Sequence, residues 1–508
     1  MKTLVLLISL GHCQAQVTFR KIIGGYENDI GYAVLQKADS GYIIAGGTYM
    51  GGSNDFYLVQ TDKYGDTLLV KRYGGGGSEI AYDIITATSG AGFLILGTTS
   101  SFGAGGGDVY LIKIDGLGDT LWTKTYGGSS NEWAWEIEKT SDGGYIFSGQ
   151  TTSYGAGLND VYVIKIDAMG DTIWTRTFGD SEGNATRSII AVPSGGFIIP
   201  GGYLLRIDND GNLIWSKNGL GKFLVPSEND YFVGGVWIVG NYSAVLLVQA
   251  DSSANILWSY SYSISDCSID IQAMDKTEDN GYIIAGELCA TSILGEAFLM
   301  RIDSVGNVLW ANIYKEWEQI NPGEITKTAF YDVKSTSDGG FIAVGEASNF
   351  FTRDVYMVKT DANGNTGCSN DSAFFPVMNN ATVIDSNVTV QVSTGGIVGG
   401  TSTLVTGTST VESALCFDTI TGIVQTREMP KENNSMAIFP NPARETLYFK
   451  NIPANKQMTL LITNLLGQMV QRDEITEPNI NISNLPVGIY FLNLQTDDGF
   501  FKARFVKE

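Results

Sequence analysis

Short apolar runs alternate with turns rich in Gly and Asp along most of the chain, and the arrangement recurs. The stretch KIDGLGDTLWTKTYGG begins at Lys113, and similar stretches begin at Lys165, Arg206 and Arg301. β-Branched and aromatic residues dominate the apolar runs, which favours strands over helices. The pattern therefore predicts an all-β protein built from one repeated unit.

An Asp at the end of an apolar run marks each unit. The seven marker residues, 41 to 58 positions apart, are Asp62, Asp115, Asp167, Asp208, Asp251, Asp303 and Asp361. A Gly follows three positions later in every unit except one, which has Ala254, and a Trp follows seven positions later in five units. The Asp and Gly spacing predicts a hairpin turn in which Asp bonds to backbone amides and Gly takes a positive φ. We interpret the regularly spaced Trp residues as packing between neighbouring units.

Each unit divides into four predicted strands, for example residues 79–88, 92–99, 108–115 and 119–126. Four strands in about 40 to 50 residues are typical of a β-propeller blade, and seven units predict seven blades. The seventh unit lacks a fourth strand, whereas residues 17–23 (VTFRKII) resemble a fourth strand with no strands before it. We therefore expect residues 17–23 to complete the last blade of a seven-bladed β-propeller at residues 16–368.

The first 15 residues, MKTLVLLISLGHCQA, combine one Lys, a short apolar run and a small residue at Ala15. These features are typical of a secretory signal peptide, and no later segment has enough consecutive apolar residues to span a membrane as a helix. His12 is the only histidine. Its removal with the signal excludes Ser-His-Asp and Cys-His catalysis and most zinc sites. We expect neither a metal nor a cofactor.

Charge and cysteine content narrow the partners and the compartment. The net charge of −22 disfavours nucleic acids and anionic membranes as partners. Four cysteines follow the signal, and an even number in an exported chain indicates disulfides, with three possible connectivities. Cys267 and Cys289 bracket a predicted hairpin, so we predict that they pair, which leaves Cys368 to pair with Cys416. Four free thiols are the alternative.

The unit DGGYIFSGQTTSYGAGLNDVYVIKIDAMGDTIWTRTFG, residues 142–179, resembles uncharacterised propeller repeats that are common in exported proteins of Bacteroidetes. The resemblance extends over residues 17–368. It implies little about a ligand or a reaction, because a fold does not fix a function.

The C-terminal residues carry a second resemblance. The stretches IFPNPARETLYF, LLITNLLGQMV and NISNLPVGIYFLNLQTDDGFFKARFVKE follow one another between residues 438 and 508. In this order they resemble the type A sorting domain of type IX secretion substrates. The resemblance implies a small β-sandwich at residues 432–508, the type IX secretion machinery as a partner, and a location outside the cell or on the outer-membrane surface. Such domains are often removed during export, with the cargo released or attached to surface lipopolysaccharide.

Residues 369–431, between the two modules, are rich in Thr, Ser, Gly and Val and are nearly uncharged in their central part. This composition predicts an extended linker that is partly β-structured.

One face of the predicted propeller carries the loops between blades and the loops from second to third strands. Glu132, Trp133, Trp135 and Trp317 lie in or beside the loops between blades. We expect them to form an acidic, aromatic surface suited to a glycan or a peptide. The alternative is that Trp133 and Trp135 are one exposed and one packed residue at the start of a strand.

These features favour a secreted or surface-displayed binding or adhesion module whose ligand the sequence does not name. The alternative is a carbohydrate-active enzyme that uses carboxylate or tyrosine chemistry, because only such chemistry survives the lack of histidine. Candidate carboxylates at positions outside the repeat pattern are Glu132, Asp180, Glu182, Glu316 and Glu324. No pair among them stands out.

Overall fold

The structure is a computed structural model. It describes residues 16–25, 27–88, 92–181, 183–218, 221, 223–226, 230–239, 242–251, 253–264, 267–289, 295–314, 325–349, 352–367, 371–374, 376–380, 391–393, 411–418, 437–439, 443–450, 458–464, 469–475, 479–496 and 499–507. The predicted signal peptide lies outside these residues. The chain divides into two compact units, Met1–Ile420 and Thr421–Glu508.

The first unit is an all-β propeller, in which most sheets contain four consecutive antiparallel strands. The first strand of the chain, β1 (Thr18–Gly24), belongs to the last of these sheets. Sheet I contains β2 (Asn28–Gln36), β3 (Tyr42–Met50), β4 (Ser53–Thr61) and β5 (Thr67–Tyr73). Sheet II contains β6 (Glu79–Thr86), β7 (Phe93–Thr99), β8 (Asp108–Ile114) and β9 (Thr120–Tyr126). Sheet III contains β10 (Glu132–Lys139), β11 (Tyr145–Thr151), β12 (Asp160–Ile166) and β13 (Thr172–Gly179).

The fourth predicted unit forms only a reduced sheet. Sheet IV contains β14 (Ile190–Ala191), β15 (Phe197–Ile199), β16 (Tyr203–Ile207) and β17 (Leu213–Asn218). The hairpin between β15 and β16 is short because Pro200 lacks an N–H group with which to continue the ladder, and Gly201 and Gly202 follow it. Sheet IV stands between its neighbours, and β14 contacts β10 of sheet III.

Three further sheets are of full size. Sheet V contains β18 (Phe223–Pro226), β19 (Asp230–Val239), β20 (Tyr242–Asp251) and β21 (Ile256–Ser263). Sheet VI contains β22 (Ile269–Lys276), β23 (Tyr282–Leu288), β24 (Glu296–Ile302) and β25 (Val308–Tyr314). Sheet VII contains β26 (Ile325–Ser335), β27 (Phe341–Asn349), β28 (Arg353–Thr360) and β1. The described residues thus form six full blades, not the seven that the repeat count predicted, because the unit around Asp208 builds only sheet IV.

The repeated Asp and Gly form the predicted turn. In sheet II, Asp115 accepts hydrogen bonds through Oδ1 from the backbone amides of Leu117 (2.9 Å) and Asp119 (2.8 Å). Gly118 has a φ of 75°, and Ala254 has a φ of 63° at the equivalent position of sheet V. The prediction for this turn is confirmed, including the unit in which Ala replaces Gly.

The repeated aromatic residues of the fourth strand join neighbouring sheets, as predicted for Trp. The Trp310 ring lies against the Cα of Gly364 in the next sheet, and its Nε1 donates a hydrogen bond to the carbonyl of Ala362 at 3.2 Å. Four residues further on, the fully buried Tyr314 donates through its hydroxyl to the carbonyl of Gly364 at 2.8 Å. The turn of one sheet therefore supports the outer strand of the sheet before it.

The two ends of the repeat array meet in sheet VII. Strand β1 pairs antiparallel with β28, and the register places Phe19 opposite Lys359. The observed strand is shifted by one residue from the predicted 17–23. Phe19 packs against Gly65 of the sheet I turn, the position that the Trp residues occupy in other sheets. Sheet I is thus supported in the same way as the other blades.

The described parts of residues 369–418 add strands to the outer edges of four sheets. The added strands are β29 (Asp371–Ala373) on β25, β30 (Val377–Asn380) on β21, β31 (Gln391–Ser393) on β13 and β32 (Val411–Asp418) on β1. A free sheet edge offers unpaired backbone groups to an extended segment rich in Thr and Val. Part of the predicted linker therefore belongs to the propeller unit.

One predicted disulfide is present. Cys267 and Cys289 form a disulfide across the start of sheet VI. The predicted Cys368–Cys416 pair stays a prediction, since Cys368 lies outside the described residues.

The C-terminal unit contains two small antiparallel sheets. One has β33 (Ala437–Phe439), β34 (Thr446–Lys450) and β37 (Asn479–Asn481), and the other has β35 (Met458–Asn464), β36 (Met469–Ile475), β38 (Gly488–Thr496) and β39 (Gly499–Lys507). Buried residues of both sheets, including Leu447, Leu460 and Leu492, share one core. Two sheets on one core are the arrangement of a β-sandwich.

Candidate functional site

The first strands of the blades line a central cavity of about 400 Å³. In five of these strands the pairing register shifts by one residue at the same place, which is the mark of a β-bulge. The bulged residues are Tyr32, Tyr82, Trp135, Gln272 and Tyr331, and all five line the cavity. A bulge redirects the extra side chain, so each of these strands presents its bulged side chain to the cavity.

Each bulge requires a glycine on the neighbouring strand. A Cβ on Gly149 would lie 1.7 Å from the carbonyl oxygen of Trp133, which is shorter than any contact a methyl group can make. The glycines that meet a bulged strand in the same way are Gly46, Gly97, Gly286 and Gly345. The sequence pattern for the bulge is therefore a Gly in the middle of the second strand.

Four of the bulged side chains form a continuous row of rings, which we call the aromatic arc. The ring centroids of Tyr331 and Tyr32 are 5.2 Å apart, those of Tyr32 and Tyr82 are 5.6 Å apart, and those of Tyr82 and Trp135 are 6.3 Å apart. At one end, the guanidinium carbon of Arg187 lies 5.9 Å from the Trp135 ring centroid. The arc spans sheets VII, I, II and III, so the aromatic side of the cavity is continuous.

Carboxylates occupy the position after the bulge in three sheets. Asp332 accepts a hydrogen bond at 2.9 Å from the amide of Val34, a residue of the next sheet. Asp83 accepts one from the amide of Ile137 at 2.9 Å. Each carboxylate therefore has a structural contact to the neighbouring blade, and it also lines the cavity.

Glu136 makes the equivalent contact to sheet IV. Its Oε2 accepts a hydrogen bond from the amide of Ile189 at 2.8 Å. Burial, reinforced by the nearby carboxylates of Glu138 and Asp83, raises the pKa of Glu136 to about 8. Burial also raises the pKa of Asp83 to about 6 and that of Glu138 to about 7. Some of these three carboxyl groups are therefore protonated at neutral pH.

Lys334 is the positive group among these carboxylates. Its Nζ lies 3.3 Å from Oδ1 of Asp332. Burial alone would lower the pKa of Lys334, but Asp332, Asp275, Asp83 and Glu136 outweigh that effect and raise it. Lys334 stays charged at neutral pH, yet it does not bring the pKa values of the surrounding acids back to their ordinary range.

The predicted site residues have different positions in the structure. Trp133 and Trp135 line the cavity, and Trp135 belongs to the aromatic arc. The carboxylate of Glu132 is fully buried away from the cavity, where it accepts hydrogen bonds from the amide of Gly128 (2.7 Å) and the hydroxyl of Thr151 (2.6 Å). Trp317 lies outside the described residues. The assignment of these four residues to a ligand stays a prediction.

Among the other candidate carboxylates, Asp180 accepts hydrogen bonds from the side chains of Asn184 and Tyr203. Glu182, Glu316 and Glu324 lie outside the described residues.

Sequence reasoning missed most of the cavity lining. Tyr32, Tyr82 and Tyr331 occupy the same place in their first strands, within GYAVL, AYDII and FYDVK. Arg187 lies in TRSII, which aligns with these stretches, and it also lines the cavity. An alignment of first strands would have shown a position where the residue type changes while its surroundings repeat.

Two further features, a cluster of metal ligands and a membrane-spanning helix, do not occur in the described part of the chain. It contains no group of three or more His, Cys, Asp or Glu residues arranged to hold a metal ion. Nor does it contain a helix that is long and apolar enough to cross a membrane.

Residues 437–508 match the family model described as the secretion system C-terminal sorting domain. The chain is thus a β-propeller protein with a C-terminal sorting domain of type IX secretion. Such a domain implies interaction with the secretion machinery and secretion to the cell surface or the extracellular space. No curated protein matches the chain.

The chain is similar to several solved structures from Bacteroidetes. The extracellular domain of the one-component system BT4673 of B. thetaiotaomicron has 12% identity and a TM-score of 0.41, over 96% of this chain and 57% of that one. That of the hybrid two-component system BT3049 of B. thetaiotaomicron has 11% identity and a TM-score of 0.27, over 94% and 68%. PorZ, a surface component of the type IX secretion system of Porphyromonas gingivalis, has 8% identity and a TM-score of 0.18, over 96% and 100%.

The chain spans less than two thirds of the length of the BT4673 domain.

Proposed function

We propose that this protein is a secreted or cell-surface binding module whose ligand occupies the central cavity. The repeated bulge carries the proposal, because five first strands use it to present a side chain to the same space. Concave sites lined by aromatic side chains and a few polar groups are the usual place for a small ligand or an anchoring side chain. Glycans and peptides both suit such a lining.

The proposed division of the chain follows from this. Residues 1–15 direct the chain out of the cytoplasm, residues 16–368 carry the binding site, and residues 432–508 direct passage through the type IX system. Residues 369–431 connect the two modules, and their described strands on the outer edges of the blades support the propeller.

A binding screen tests the proposal. The full secreted chain is applied to glycan and peptide arrays beside the variants Trp135→Ala and Tyr82→Ala. We expect each variant to bind at least about tenfold more weakly, because aromatic anchors at the centre of a site typically contribute most of its affinity. The matched control is Trp310→Ala, which removes the same side chain from the outer strand. Unchanged binding by Trp135→Ala would place the site elsewhere.

The second candidate is a carbohydrate-active enzyme that uses the same cavity. The raised pKa of Glu136, beside the lower one of Asp83, favours it, because glycosidases use one protonated and one ionised carboxyl group. Incubation with a panel of polysaccharides tests it through reducing ends that appear with the full chain and disappear with Glu136→Gln. If no polysaccharide that binds releases reducing ends, the enzyme hypothesis is rejected and the binding module remains.

A further inference from the structure

The cavity wall carries more carboxyl groups than basic side chains. Asp83, Glu136 and Asp332 line it, whereas Lys334 and Arg187 are its basic residues. Lys334 already forms an ion pair with Asp332 at 3.3 Å, and Arg187 lies over the outer end of the aromatic arc. The carboxylates of Asp83 and Glu136 accept hydrogen bonds from backbone amides, but no basic side chain of the described residues forms a salt bridge with either of them.

Two neighbouring groups increase this imbalance. Glu138 lies close enough to raise the pKa of Glu136, and Asp275 contributes to the field at Lys334. Asp83, Glu136, Asp275 and Asp332 come from four different sheets, and each accepts a hydrogen bond from an amide of an adjacent sheet, as Asp275 does from Ser335 at 2.7 Å. They cannot move apart without breaking contacts between blades, so their mutual repulsion is built into the fold.

The aromatic arc adds a second attraction for positive charge. Aromatic faces attract cations through the ring quadrupole, most strongly where water is excluded. Arg187 already uses one such face, that of Trp135. Tyr32 and Tyr82 continue the arc towards Lys334 and Asp332, which lie on the same cavity wall. A positive group in the cavity would therefore meet rings on one side and carboxylates on another.

We propose that the ligand of this cavity carries an organic cation, an alkylammonium or guanidinium group of the kind found in lysine and arginine side chains. The cation lies between the rings of Tyr82 and Trp135 and the carboxylates of Asp83 and Glu136. This inference rests on the proposed binding function and specifies the chemistry of its ligand.

Other ligand classes fit less well. An anionic ligand would be repelled by the carboxylates. A divalent metal ion needs several oxygen ligands on one point, and the described residues hold no such cluster. A neutral sugar would stack on the rings and donate hydroxyl hydrogen bonds to the carboxylates, but it would bring no positive charge to balance theirs. An organic cation satisfies both features of the wall.

Binding of a cation should depend on pH in one direction. The titrating acids are Asp83, Glu136 and Glu138, and the other charged or titratable groups that face them are Asp275, Asp332, Lys334, Arg187, Tyr32, Tyr82 and Tyr331. Lys334 stays protonated and the tyrosines stay neutral below pH 9, because the pKa of each is raised. A bound cation favours the ionised acids, so binding releases protons. The affinity for the cation therefore decreases as the pH falls from 8.5 to 5.5.

Titration calorimetry on the full secreted chain tests the inference. The probes are a blocked tripeptide with a central lysine, the same peptide with arginine, and the uncharged peptide with norleucine. We expect the two cationic peptides to bind and the norleucine peptide to bind at least about tenfold more weakly, because it lacks the charge. We also expect the cationic peptides to bind about tenfold more weakly at pH 5.5 than at pH 8.5.

Variants connect the binding to the cavity. Trp135→Ala should weaken the lysine peptide by about three- to thirtyfold, the range expected for one cation–π contact. Glu136→Gln keeps an acceptor for the amide of Ile189 but removes the charge, and it should flatten the dependence on pH. Trp310→Ala, on the outer strand, should bind as the unaltered chain does.

The outcomes separate this inference from the proposed function. No binding of either cationic peptide at 10 mM, which is about the weakest affinity the method resolves, overturns the organic cation. A neutral oligosaccharide that binds equally at both pH values, and is lost in Trp135→Ala, also overturns it while the proposed function stands. Binding of the lysine peptide that Trp135→Ala and Glu136→Gln leave unchanged overturns both.

Discussion

The inner and outer strands of each blade use repetition in opposite ways. The outer strand keeps the same aromatic residues, as Trp310 and Tyr314 illustrate, because each of them must meet the turn of the next sheet. The inner strand keeps the same bulge but changes the side chain that it presents, from Tyr82 to Trp135 to Gln272. Repetition of backbone geometry with variation of side chain is what a recognition surface on a symmetric scaffold requires.

The carboxylates make the inner ring asymmetric. The position after the bulge is Asp83, Glu136 or Asp332 in three sheets but Ala33 and Ala273 in two others. The outer turns also vary, from Asp119 to Asn307, but both residues support the turn itself, since Asp119 accepts a hydrogen bond from Lys71 and Asn307 donates one to Asp303. The outer turns therefore stabilise the propeller, whereas the cavity-facing positions of the first strands determine what the cavity can bind.

The largest expected effect comes from removing a bulge. Gly46→Ala would place a methyl group 1.8 Å from the carbonyl oxygen of Ile30, which forces the two strands apart. We expect a loss of about 3 kcal/mol in the free energy of unfolding, at the upper end of overpacking effects. Chemical denaturation measures it. Gly47→Ala is the matched control, since the nearest atom lies 3.8 Å away, and an equal loss in both would contradict the role of the bulge.

The next largest effect contrasts two tryptophans. Trp310→Ala removes a ring that packs on Gly364 and a hydrogen bond to Ala362, so we expect a loss of about 2 to 3 kcal/mol in the free energy of unfolding. Trp135→Ala removes a ring that faces the cavity and should cost less than about 1 kcal/mol. Thermal or chemical denaturation of both variants measures the difference. A larger loss for Trp135→Ala would mean that the cavity-facing side chains of the first strands also stabilise the fold.

A smaller effect isolates one hydrogen bond of the rim. Tyr126→Phe removes the hydroxyl that donates to the carbonyl of Gly170 at 2.7 Å, in a fully buried contact between sheets. We expect a loss of about 1 kcal/mol in the free energy of unfolding, because the carbonyl is left without this partner. Tyr49→Phe, at a largely exposed residue, is the control and should change the stability little. Equal stability of both variants would contradict a stabilising role for the buried tyrosine hydroxyls between sheets.

The smallest effect concerns the dependence of stability on pH. The pKa of Glu136 is raised to about 8 in the folded chain, so its favourable contribution is present below about pH 4.5 and is lost as the pH rises through 8. Glu136→Gln should therefore unfold less readily than the unaltered chain at pH 8.5, by less than about 1 kcal/mol after allowance for solvent in the cavity. Denaturation at pH 5 and pH 8.5 measures this. An advantage that appears only at pH 5 would contradict the direction of the shift.

The features that follow from local geometry were predictable from the sequence. The turn at Asp115 and Gly118, the packing of Trp310 between sheets and the pairing of Cys267 with Cys289 all occur. Each depends on residues close together in the chain or repeated at one spacing. The number of full blades was not predictable in the same way, because the unit with Pro200 and its neighbouring glycines keeps the turn of the repeat but has shortened strands.

The cavity was only partly predictable. Trp133 and Trp135 attract attention because tryptophan is rare and stands outside the regular positions, and both line the cavity. Tyr331 occupies the variable position of the aligned first strands, but only the closed ring brings it and Lys334 next to residues about 300 positions away in the chain. A contact between distant repeats leaves no local trace in one sequence.

The most direct test of the central claim is a crystal structure of the full secreted chain grown with the blocked lysine peptide. The account predicts density for the ammonium group between the rings of Tyr82 and Trp135, with an oxygen of Glu136 or Asp83 at about 3 Å, as in charge-assisted hydrogen bonds. A peptide bound on the outer strands or the loops, with the central cavity free of it, would contradict the assignment of recognition to the inner ring.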